Sequence, residues 1–195
     1  MRRLLLIVGA TILCATRGAA QQQLQNNYIL SLGVGGGATI PTGNGGNTVK
    51  TGYNGQAYAL IQLPGFLALR FNFGYQKFDY NGQSALTTAA GTREILSGIG
   101  GLQINLLHGP VRPYLTAGVG AFDIRGLTDS STTSTASKIN FGIDAGAGLA
   151  LVLGRVSAFA EGRVQNVYTK DGGFIKSAKQ INVVPVTFGL AVGLF

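Results

Sequence analysis

The sequence predicts an all-β fold, an eight-stranded antiparallel up-and-down transmembrane β-barrel. Three observations carry that prediction. Runs of alternating polarity recur eight times, their connections alternate between short and long, and one face of some runs is polar at mid-strand. Composition agrees. The 195 residues include 31 glycines, about twice the ordinary share, and only 11% are charged, against about 25% in ordinary domains. Strands, small residues and turns suit such a chain better than charge-rich helices do.

Residues 1–20 read as a cleaved export signal. Arg2 and Arg3 precede an apolar stretch from Leu4 to Ala15, and Gly18, Ala19 and Ala20 supply small residues ahead of Gln21. That stretch is too short to cross a bilayer, which takes about 20 residues. The single cysteine, Cys14, lies inside it, and Leu13 before it fits a lipoprotein processing site poorly. The mature chain is therefore expected to have no thiol, no disulfide and no thiolate metal site. Cleavage removes Arg2, Arg3 and Arg17, leaving twelve basic against seven acidic side chains, a net of +5. These charges are scattered, with no basic cluster among aromatics, so nucleic acid is not an expected partner. Residues 21–27 form a short periplasmic segment, and 28–195 form the barrel.

The candidate strands are 28–40, 52–63, 66–78, 93–106, 113–124, 138–153, 156–168 and 181–195. Each runs about 12 to 16 residues, whereas ordinary strands average about 5 or 6 and tilted membrane strands need about 9 to 11. Leu63-Pro64-Gly65, Leu107-His108-Gly109-Pro110 and Gly154-Arg155 are tight turns. Between them lie the longer polar segments 41–51, 79–92, 125–137 and 169–180. Short periplasmic turns opposite long external loops are the asymmetry of a transmembrane barrel.

The third strand decides which face meets lipid. Leu67, Leu69, Phe71, Phe73 and Tyr75 share one side, and Arg70, Asn72, Gly74 and Gln76 the other. An Arg at the lipid midplane costs about 2–4 kcal/mol, so Arg70 must face inward. A soluble ligand-binding barrel of lipocalin type, the alternative, would put its apolar face inward instead. Pro185 removes one ladder hydrogen bond and is expected near the external rim or at a bulge.

Eight strands enclose a space just wide enough for side chains. Inward positions on several strands are small, among them Ser31, Gly33, Gly35, Thr116, Gly118, Gly146 and Gly189. Arg70, Asp144, Glu161 and Arg163 share the inward parity near mid-strand, and unpaired ions there would be costly. An ionic plug of these four is expected, surrounded by Gln56, Tyr58, Gln62, Asn72 and Gln76. Tyr28, Tyr53, Tyr75, Phe78, Tyr80 and Tyr168 lie near strand ends and are expected to form aromatic girdles.

Catalytic and cofactor chemistry finds little support. The run Gly33 to Ala38 mimics a dinucleotide fingerprint, but no helix opens in it to receive a pyrophosphate. His108, the single histidine, falls in a turn with no acid near it in sequence, too little for a triad or a zinc site. No catalytic residue, cofactor or metal is assigned. In the fourth long connection Lys170, Phe174, Lys176 and Lys179 are candidate contacts to lipopolysaccharide, although scattered lysines are also ordinary solvated surface.

Four phrases together resemble the small eight-stranded outer-membrane β-barrel proteins of Gram-negative bacteria: GVGGGATIPTG, RPYLTAGVGAF, FGIDAGAGLAL and AFAEGRV. The resemblance covers essentially residues 27–195. It implies residence in the outer membrane among lipid and lipopolysaccharide, delivery by periplasmic chaperones and insertion by the barrel-assembly machinery. It does not imply one activity, since structural barrels, adhesins, pores and lipid-modifying enzymes share the fold. A non-catalytic monomer is the expectation. The end of the chain also resembles the assembly signal of such proteins when counted from Leu194, with Thr187, Gly189 and Val192 in step. Phe195 then has the opposite parity and is expected to turn at the periplasmic rim.

Overall fold

Alternation over so many residues leaves each strand two chemically distinct faces, and a closed sheet can separate them completely. In the computed structural model, which describes residues 28–42, 51–80, 91–128, 138–168 and 180–194, eight strands do so. They are β1 (Leu30–Thr42), β2 (Gly52–Gln62), β3 (Leu67–Tyr80), β4 (Gly91–Asn105), β5 (Val111–Thr128), β6 (Lys138–Leu153), β7 (Val156–Tyr168) and β8 (Gln180–Gly193). Each pairs antiparallel with its sequence neighbour, and β1 with β8, so the barrel is closed. The predicted sixth and seventh strands keep their bounds. The fifth runs further at both ends, and the first starts two residues later than expected.

The register fixes the barrel's width. Neighbouring partners can be followed from Ser31 to Leu60, Arg70, Gly101, Gly118, Asp144, Gln165 and Val183, and back to β1 at Pro41. One circuit thus climbs ten residues, from Ser31 to Pro41. A stagger of that kind requires strongly tilted strands and leaves an interior that side chains fill.

The exterior is apolar. Val34, Phe73 and Leu190 are 63%, 69% and 57% exposed, whereas Arg70 is 3% exposed. A soluble barrel has the reverse pattern. Towards the long-loop end the exterior turns polar, where Tyr75 Oη donates to Glu94 at 2.9 Å and Arg125 pairs with Asp123 at 2.7 Å.

Two expectations need correcting. Phe78 is not in a girdle: it has the parity of Arg70 and is 1% exposed inside the barrel. There it packs with Ile95, Ile99, Phe122, Val167 and Val183 at the long-loop end. The interior is therefore polar at mid-height and carries a buried apolar cluster above it. Tyr28 also belongs inside, at the short-turn mouth; a Cβ on Gly193 would stand 2.8 Å from Tyr28 Cβ, so glycine makes its space. Tyr53 and Tyr168 do lie exposed on the outer surface. Pro185, paired with Thr39, sits in the long-loop half. Between β7 and β8 the ladder lapses from Gly162↔Val186 to Gln165↔Val183 and resumes in the same register, so there is no bulge. The missing N–H of proline explains the lapse.

Candidate functional site

The lumen is the chemically distinctive part of the molecule, and the strands stack it in three levels. The middle level is ionic. Arg70 on β3 reaches across to Glu161 on β7, donating through Nη1 to Oε2 at 2.5 Å and through Nη2 to Oε1 at 3.1 Å. Such a two-pronged contact fits the planar guanidinium to the carboxylate. Arg163, next inward on β7, donates to Asp144 Oδ1 on β6 through Nε at 3.1 Å and through Nη2. Its Nε also lies 3.9 Å from Glu161 Oε1, which links the two pairs.

Neutral groups complete this level. Gln56 donates to Glu161 at 3.3 Å and accepts from Arg163 at 3.3 Å and from Asn72 at 2.9 Å. Tyr58 lays its ring under the Arg70 guanidinium at 4.2 Å, a cation–π distance. That ring fits because the facing position is glycine. A Cβ on Gly33 would come within 2.5 Å of Tyr58 Cε1, and one on Gly148 within 2.7 Å of Tyr114 Cε2. Ion pairs buried at 4% exposure or less cost desolvation, and geometry this close is what offsets it.

Two of the glutamines named from the sequence sit elsewhere. Gln62 lies nearer the short turns, where it donates to the Leu67 carbonyl at 2.9 Å. Gln76 lies above the ions and donates to Gln165 at 2.6 Å. Sequence reasoning missed Tyr114, Gln103 and Gln165. Gln103 accepts from Arg70 at 3.2 Å, and the Tyr114 ring stands 5.9 Å from the Arg70 guanidinium. All three share the inward parity of their strands, so the signal was present.

The upper level is the apolar cluster around Phe78 and Phe122. The lower level is an open cavity of about 610 Å³ at the short-turn end, with Tyr58 and Tyr114 at its inner limit. His108 lines this cavity and packs its ring 4.8 Å from Phe66. The glycine run from Gly33 lies within β1, on a strand, and not at a helix start.

The four C-terminal residues that align with an assembly signal divide between the faces. Thr187 points inward and donates to Asn54 at 2.9 Å, and a Cβ on Gly189 would come within 2.6 Å of the Phe159 ring. Val192 and Leu194 face outward, 42% and 37% exposed. Phe195 and the loop residues Lys170, Phe174, Lys176 and Lys179 lie outside the described residues, as do residues 1–27.

A polar lumen inside an apolar wall of eight long strands defines a transmembrane β-barrel of the outer-membrane type. Solved structures agree on the fold. The chain is similar to Neisserial surface protein A, with a TM-score of 0.62 and 15% identity over 85% of this chain and 97% of that one. It is also similar to Ail, the attachment invasion locus protein of Yersinia pestis, whose structure holds the heparin analogue sucrose octasulfate. There the TM-score is 0.56 at 14% identity, over 84% of this chain and 96% of that one. A major outer membrane protein from Thermus thermophilus gives 0.54 at 15% identity, over 84% and 97%. No family model matches, and no curated protein matches by sequence.

Proposed function

We propose that this chain is a non-catalytic integral outer-membrane barrel whose lumen is closed, leaving structural support and loop-borne binding as its roles. The observation that supports the closed lumen is the stack of two filled levels. The paired Arg70, Glu161, Arg163 and Asp144 cross the middle, and the Phe78–Phe122 cluster fills the long-loop end. A hydrated ion would have to break buried pairs and pass the buried apolar cluster. The outward apolar face supports insertion in the outer membrane, with lipid and lipopolysaccharide as its immediate surroundings. Delivery by periplasmic chaperones and the barrel-assembly machinery belongs to the same reading. Purified, refolded protein in planar bilayers tests it. Quiet membranes are expected; large, steady open channels would overturn the closed lumen.

A further inference from the structure

Both mid-lumen arginines meet carboxylates, whereas two arginines at the short-turn end do not. Arg112, at the start of β5, spends its Nε on the Gly109 carbonyl at 2.8 Å. Arg155, in the turn between β6 and β7, stands 5.9 Å from the Tyr28 ring. Among the described residues neither meets an Asp or Glu within salt-bridge distance. Both line the 610 Å³ cavity with His108, and among the described residues no acidic side chain lines it. The register pairs Arg112 with Ala150 on β6, just ahead of the turn that carries Arg155.

The cavity's volume falls within the roughly 300–1,000 Å³ range of small-molecule sites. Its walls combine tyrosine rings from Tyr28, Tyr58 and Tyr114 with apolar side chains such as Leu60 and with the amides of Gln62, Gln103 and Asn105. A pocket with a half-buried and an exposed guanidinium, aromatic walls and no carboxylate among the described lining residues matches an organic phosphate. The phosphate oxygens suit the planar guanidinium forks, and a polar ring or glycerol body suits the tyrosines. We propose that this vestibule binds an organic phosphate entering from the short-turn side. The binding site rests on the lumen being closed above it, which makes the cavity a blind pocket and not the mouth of a pore. Two sources share that chemistry: a soluble sugar phosphate, and the headgroup of an anionic phospholipid at the barrel's rim.

The test is calorimetric titration of the refolded full barrel in zwitterionic detergent with glucose 1-phosphate, with glucose as the neutral control. Binding of the phosphate, at least tenfold tighter than glucose, is expected. The paired variant Arg112→Gln/Arg155→Gln should lose at least tenfold while keeping the slow-to-unfold, heat-shifted gel migration of a folded barrel. Absent binding, equal binding of glucose, or an unchanged paired variant would each overturn the site. Repeating the titration in nanodiscs assigns the source. Competition by phosphatidylglycerol but not phosphatidylcholine points to a headgroup, and indifference to lipid points to a soluble phosphate. Steady channels in the bilayer experiment would remove the closed-lumen reading, whereas quiet membranes with no phosphate binding would remove this proposal alone.

Discussion

Replacing Glu161 with Ala strikes the middle of the lumen. Glu161 is 2% exposed and touches Arg70 through two bonds, Gln56 at 3.3 Å and Arg163 at 3.9 Å. Without it, Asp144 still holds Arg163, and Arg70 loses its paired carboxylate. Breaking one side of a buried pair costs about 3–5 kcal/mol, because the remaining charge stays desolvated. The Tyr58 ring and Gln103 stay with Arg70 and offset part of that loss, the ring by about 1–2 kcal/mol at most. A net destabilisation of about 1–4 kcal/mol follows. Urea unfolding of barrels refolded into phospholipid vesicles, read by heat-shifted migration, measures it. The paired variant Arg70→Met/Glu161→Leu removes both charges and should be more stable than Glu161→Ala alone. If Glu161→Ala stays within about 1 kcal/mol of the parent, or the paired cost equals the sum of the single ones, the coupling argument fails.

Other perturbations test the wall. Gly33→Val should displace the Tyr58 ring and cost about 1–3 kcal/mol by overpacking, whereas Gly162→Ala, with no atom within 4 Å of its added Cβ, should be silent. The same unfolding assay separates the two. Phe73→Arg places a cation on the lipid face and should cost about 2–4 kcal/mol near the midplane; an unchanged urea midpoint would argue against that face meeting hydrocarbon. Deleting residues 194–195 should slow assembly in cells more than any single loop change does, scored by the heat-shifted fraction in membranes. Normal insertion would count against a recognition role for that end.

Much of the wall was legible because a strand's period of two survives any error in its ends. Once Arg70 is turned away from lipid, every residue of β3 is assigned a face. The same parity brings Asp144, Glu161 and Arg163 inside, but not which of them pair. Pairing depends on the stagger between strands, which the long connections hide. Nothing in the chain announces that Gly33 will face Tyr58, or that Arg70 will cross the lumen to β7. The apolar upper level was missed for a different reason. Inside-polar, outside-apolar holds for a hydrated lumen, and Ile95, Ile99 and Phe122 pack against one another there instead. Their inward parity was readable, yet β4 and the ends of β3 and β5 carry apolar residues on both faces, so polarity alone could not choose.

The lapse beside Pro185 bears on how the barrel would come apart. A closed wall loses its strength at its weakest seam, and here the backbone bonds thin out where Arg163 and Val164 face Pro185 and Val184. The interior supplies spokes at that height. Arg163 holds Asp144 on β6 and Gln56 on β2, and Thr187 on β8 holds Asn54 on β2. Slow amide exchange throughout the β7–β8 border would therefore be a property of the lumen, transmitted outward, and not of the sheet itself. Loosening the spokes should make this seam the first to admit solvent.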